Sequence, residues 1–274
     1  MPTPTASTRT AALALLCVLS VHAAGAVAQP LPTSQPTYLA IVIEQVPAGH
    51  GPAWDVLARE RRAVLERAAL APTTLALRAV TGADEAWFIS PAASFAEVGE
   101  RSSRRPAAPE ATALERVETA MAAHVAARRT VQARARPDLS RGAYPDLAAQ
   151  RVWEISVFRV QAGYEDAVSA AFASYAAAAD RAKLGLSWRV YEVVAGLPGP
   201  TYLVFSSVPT HAGLDTMAAE DHAIVPSFTA ENGVAFSRFQ KALTSGEVNR
   251  YRLDPALSTV PAEVRARDAA FWGK

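Results

Sequence analysis

Hydrophobic and polar positions along the chain form two successive series of the same kind. YLAIVIEQV (38–46) and VWEISVFRV (152–160) are β-branched and aromatic, and each ends at a glycine turn, Gly49 or Gly163; both predict strands. Apolar residues then recur at helical spacing, as Trp54, Leu57, Val64 and Ala68 in one series and Val168, Phe172, Tyr175 and Ala179 in the other. Gly51 and Pro52 suit the first helix start, and Glu165 and Asp166 place negative charge in the first turn of its counterpart. A hairpin follows in each series. TLALRAV (74–80) turns through TGADE into AWFIS (86–90), and WRVYEVV (188–194) turns through AGLPGP into TYLVFSSV (201–208). A second helical region is predicted over 111–129 and 228–245. Each series ends on the same phrase, RARPDLS (134–140) and RLDPALS (252–258), read as a fourth strand running out into Pro and Ser.

The order is βαββαβ, twice. Residues 38–82 match 152–196 without a gap, and the paired glycines (Gly49 with Gly163, Gly82 with Gly196) weigh more than alanine matches in so Ala-rich a chain. This order is the split βαβ, or ferredoxin-like, unit: an antiparallel sheet with both helices on one face. The bare face must be covered, and two copies on one chain can cover each other. The expected class is α+β, two tandem ferredoxin-like units with antiparallel sheets packed face to face as an intrachain α/β barrel. The units span 29–140 and 152–258, with a linker over 141–151 and a tail over 259–274.

The first 28 residues read differently. Arg9 precedes an apolar run from Ala11 to Val21, and Ala26-Val27-Ala28 is a small-x-small cleavage site, which predicts a signal peptide and a periplasmic or secreted bacterial protein. Cys17 lies within it and is the single cysteine, so the mature chain has no disulfide, thiolate nucleophile or Cys-bound metal. Without Arg9 the 27 basic residues fall to 26, equal to the acidic count, which argues against a nucleic-acid or anionic-membrane partner. No stable membrane association is expected after cleavage, and intrachain pairing predicts a monomer.

WEISVFRVQAGYEDAV (153–168), the 191–205 hairpin and the two RxxPxLS endings resemble the dimeric α/β-barrel superfamily, nearest in pattern to its NIPSNAP-type and antibiotic-biosynthesis-monooxygenase-type members. The NIPSNAP strand pattern Tyr-Glu-Leu-Arg stands here as Trp153-Glu154-Ile155-Ser156, and the Pro-Gly turn as Ala162-Gly163. The superfamily spans oxygenases, isomerases, haem enzymes and proteins without known activity, so the resemblance implies a fold and leaves the chemistry open. A haem member would need His50, His124, His211 or His222 as axial ligand; no cofactor and no metal are expected, because these histidines scatter over different elements and show no ligand spacing along the chain.

Strand alternation separates Leu39, Ile41, Ile43, Trp153, Ile155 and Val157, wholly apolar and read as the face under the helices, from Ala40, Val42, Glu44, Glu154, Ser156 and Phe158, read as the face between the sheets. The residues expected to contact a ligand are Glu154, Ser156, Tyr191, Glu192, Tyr202, Arg252 and His222, the last beside Asp221 in a loop before the final helix. For Glu154 a salt bridge competes with ligand contact, and for Arg134 and Arg252 repetition favours a structural ion pair. Two functions fit. One is a barrel that binds a small, partly apolar molecule between its sheets, with cofactor-independent oxygenase- or isomerase-like activity within reach. The other is a non-catalytic structural or interaction domain whose barrel is simply filled.

Overall fold

A computed structural model describes residues 29–273; the expected signal peptide lies outside the described residues. The chain runs β1 (Tyr38–Gln45), α1 (Gly51–Arg67), β2 (Leu75–Ala79), β3 (Glu85–Ala92), α2 (Phe95–Ser103), α3 (Glu110–Met121) and β4 (Ala127–Ala135). The second series is β5 (Val152–Val160), α4 (Glu165–Arg181), β6 (Arg189–Ala195), β7 (Thr201–Val208), α5 (His211–Ala223), α6 (Ala230–Ala242) and β8 (Leu243–Leu253), followed by α7 (Ala262–Arg267) and α8 (Ala269–Trp272).

The strands close into one antiparallel barrel in the order β1-β3-β2-β8-β5-β7-β6-β4. Each series contributes a ferredoxin-like sheet, and the two sheets join at both edges, where Leu77 pairs with Leu253 and Ala133 with Val193. The chain therefore covers its own bare sheet faces, and the barrel has no free edge.

The repeated glycines have one physical cause. Gly49, Gly163, Gly82 and Gly196 all adopt positive φ, between 79° and 97°. A Cβ on Gly196 would also sit 2.0 Å from the Thr130 carbonyl oxygen, across the β4–β6 seam. The same left-handed step closes α1 at Ala69 (φ 55°) and α4 at Lys183 (φ 54°), where no glycine marks it. In each, a 6→1 bond runs from Leu70 N–H to the Leu65 carbonyl or from Leu184 N–H to that of Ala179.

The closing phrases are not strands over their length. β4 and β8 end at Ala135 and Leu253, and each phrase then crosses to the opposite sheet. Arg136 N–H donates to the Val190 carbonyl and Asp254 N–H to that of Ala76, at 2.9 and 2.8 Å. Leu139 is buried in the helix-side core of the second series and Leu257 in that of the first. The predicted helix over 111–129 ends at Met121, because residues 127–135 pair with β1 and β6; tertiary pairing overrides local pattern there. Residues 211–223, read as a loop, form α5, of which only Leu214 is buried.

The two strand faces are exchanged relative to the sequence reading. Leu39, Ile41, Ile43, Trp153 and Ile155 belong to one core with residues from all eight strands, including Leu77, Trp87, Val131, Tyr191, Leu203 and Tyr251. That core is the lumen. An eight-stranded barrel is just wide enough for side chains to fill, and its inner face here is mostly apolar. Glu44, Glu154, Ser156 and Phe158 face the helices instead. Glu44 is fully buried there and bound bidentately by Arg61 of α1, at 2.5 and 3.2 Å, with the Trp54 indole N–H at 3.1 Å.

Candidate functional site

Between the second sheet and helices α4, α5 and α6 lies a cavity of about 430 Å³. Its walls are Phe158, Phe172, Trp188, Val204, Met217 and Phe239, with Ser156, Ser187 and Ser206 supplying hydroxyls. The first series fills the matching space. Residues 38–82 and 152–196 align without a gap, so the positions of buried Glu44 and Arg61 are held here by Phe158 and Tyr175.

Two polar pairs line the cavity. Glu154 on β5 accepts from Arg250 Nε on β8 at 3.2 Å, their side chains 23% and 44% exposed. Tyr175 on α4 donates its hydroxyl to the Asp221 carboxylate on α5. Burial, then the bond to Asp221 and the charges of Asp221 and Glu154, push the Tyr175 phenol well above its usual range, so it stays protonated. Tyr175 also packs edge-on against Trp188, with ring centroids 5.4 Å apart.

The structure thus gathers Glu154 and Ser156, two of the expected ligand residues, but in a helix–sheet cavity and not between the sheets. Asp221, placed at a cavity mouth by the sequence reading, lines it too, from the end of α5 and not from a loop. The other expected residues lie elsewhere. Tyr191 faces the lumen. Glu192 bridges the β4–β6 seam to Arg134 and Arg136, at 3.1 and 3.4 Å. Tyr202 is fully buried in the helix-side core, with no hydrogen-bond partner for its hydroxyl; burial raises its phenol, Glu192 adds to this and nearby Arg136 opposes it. His222 is exposed on α5. Arg252 is exposed and makes no ion pair among the described residues, unlike Arg134, because the two stand at different seams. Tyr175 is the functional residue that sequence reasoning took only for a core position; its helical spacing looked apolar, and its acidic partner comes from another helix.

A haem does not fit this cavity. Neither a histidine nor a cysteine lines it, and Tyr175, which would have to ionise to bind iron, is held protonated. Two of the four histidines among the described residues do meet elsewhere, His50 and His124, with Nδ1 atoms 3.0 Å apart. Among the described residues no group of three or more His, Cys, Asp or Glu is placed to hold a metal.

The eight-stranded barrel is built from two ferredoxin-like units carried on one chain. No protein-family model and no curated protein sequence matches the chain. Among solved structures it is similar to an anthrone oxidase-like protein, at 12% identity and a TM-score of 0.54, covering 82% of this chain and 94% of that one. It is also similar to a variant chlorite dismutase from Candidatus Nitrospira defluvii, at 9% identity and a TM-score of 0.51, covering 85% and 96%. At such identities the likeness is one of fold.

Proposed function

We propose that this is an exported barrel protein whose helix–sheet cavity binds a small, largely aromatic molecule and catalyses cofactor-independent oxygenase- or isomerase-like chemistry. The observation that carries the reading is the cavity, apolar in its walls and supplied with a carboxylate, Glu154, and a protonated phenol, Tyr175. Both reaction types begin alike, with removal of an acidic C–H proton beside a carbonyl. Glu154, oriented by Arg250, is the proton acceptor. Tyr175 exchanges its bond to Asp221 for one to the carbonyl oxygen and stabilises the negative charge that develops there. The resulting carbanion either is reprotonated elsewhere, which is isomerisation, or adds dioxygen to give a peroxide that recovers the proton from Glu154 and loses water, leaving a carbonyl at that carbon.

Anthrone, the compound in the description of one structural neighbour, is a suitable first probe, being an aromatic ketone with an acidic C–H. Binding measured without air should raise the melting temperature, and Ala218→Trp, which fills the cavity, should abolish the rise. Glu154→Gln should keep binding and lose oxygen consumption. Binding indifferent to Ala218→Trp would overturn the site. Neither binding nor turnover in the native chain would favour the second reading, a non-catalytic structural or interaction domain, which the apolar packing of the lumen supports. Export is tested by fractionation and intact mass, with a mature chain starting at Gln29 expected.

A further inference from the structure

A second cavity, of about 320 Å³, opens at the barrel mouth where β1 and β5 begin. Leu39, Trp153, Tyr191 and Phe205 form its floor, and the segment joining the two series folds over it through Tyr144 and Leu147. The lining includes one charge, Arg189, only 8% exposed. Its guanidinium donates to the carbonyls of Arg141, Trp188 and Gly142 at 2.5, 2.6 and 2.7 Å, and it lies 5.5 Å from the Tyr144 ring centroid. Among the described residues no carboxylate forms an ion pair with it. Buried charges are ordinarily paired, since burial without a counter-ion is costly. Carbonyl dipoles satisfy its N–H groups without neutralising it, and an arginine does not escape by losing its proton. Two more lining residues are unsatisfied: the Trp153 indole nitrogen and Gln150 Oε1 are buried without hydrogen-bond partners.

We propose that the barrel mouth is a binding site for a compact carboxylate with an aromatic body, whose anionic head is paired by Arg189 and whose ring packs on Trp153, Tyr191 and Phe205. This site shares only Ser187 and Trp188 with the helix–sheet cavity and does not depend on its chemistry. Burial pulls the Arg189 guanidinium below its ordinary value, with Tyr144 and Tyr191 opposing, which is the response of a cation that lacks a counter-charge.

Calorimetry with 1-naphthoate and its neutral isostere 1-naphthamide tests this on the full mature chain. Naphthoate should bind at one site, at least about tenfold more tightly than the amide, because a charge-assisted bond in a dry site is strong. Arg189→Gln should erase that preference, and Ser156→Trp, which fills the other cavity, should leave it intact. Equal affinities, no binding of either compound, indifference to Arg189→Gln, or loss of binding in Ser156→Trp would each overturn the proposal. Arg189 also clamps the joining segment, so if Arg189→Gln does not fold, Gln150→Glu decides. Its added carboxylate should exclude naphthoate and spare naphthamide, and unchanged naphthoate binding would overturn the site.

Discussion

Ser258, near the end of the chain, accepts a hydrogen bond from the backbone N–H of Ala76 in the opposite sheet, at 2.9 Å. Its counterpart Ser140 does the same for Val190, also at 2.9 Å, and each serine returns its own proton to the carbonyl that opens its turn, Asp254 or Arg136. The repeated phrase is thus a reciprocal clasp between the two sheets. Replacing either serine with alanine strands a strand N–H, at a cost of about 1–3 kcal/mol. The effect should be larger for Ser258, which is fully buried. Urea unfolding of the two variants checks this, and unchanged midpoints would show the clasp to be incidental.

Lys183 is held at positive φ without a side-chain reason. Lys183→Gly should therefore stabilise, by about 1 kcal/mol once the extra freedom of the unfolded chain is subtracted. The melting temperature should rise by roughly 2–4 °C for a chain of this size. Ala69→Gly should act in the same direction, and a fall in both variants would contradict the account of these helix ends.

Glu44 and Glu154 lie on the same strand face in the two sheets yet should lose very different amounts of stability on neutralisation. Glu44→Gln leaves buried Arg61 with only the longer contact to Glu118, at 3.7 Å, and should cost about 3 kcal/mol. Glu154→Gln breaks a half-exposed pair and should cost less than about 1 kcal/mol. Melting both variants side by side distinguishes them. Comparable losses would mean that Glu154 is a structural partner and would weaken its assignment as a base.

Burial holds the Tyr144 phenol up to about 12 against an ordinary 10.0, and pushes those of Tyr175, Tyr191 and Tyr251 higher still. A group whose folded pKa is raised contributes stability that is present below its unfolded value and is lost as pH climbs toward the folded one. The protein should accordingly weaken above pH 10. These four and Tyr202, which burial also raises, are five of its seven tyrosines and should ionise in one step with unfolding, read by phenolate absorbance. Titration of all seven near pH 10 with the fold intact would exclude this.

The doubled βαββαβ order was readable because glycines mark turns that need positive φ, and they recur in register at Gly49, Gly163, Gly82 and Gly196. The left-handed steps at Ala69 and Lys183 recur as well, but their side chains give no sign of it. Alternation correctly separated Leu39 and Trp153 from Glu154 and Ser156. It could not say which set faces the helices, because both sides of a covered sheet are buried, and a wholly apolar set suits a dry lumen better than a helix-covered face with open rims. Glu154 and Ser156 were legible as cavity residues from a shared strand face. Tyr175 with Asp221, and Arg189 with the joining segment, depend on which helix or loop lies over the strand, and the register of side chains along the chain does not encode that.

Carrying both sheets on one chain has a consequence for how many sites the molecule can hold. Two identical units pairing as a dimer must repeat every cavity and every plug, so a space opened in one is opened in both. Here the two copies are free to differ. Glu44 and Arg61 form a buried ion pair under the helices of the first, while at the same positions Phe158 and Tyr175 line a cavity in the second, so one copy can be given to structure while the other keeps a chamber.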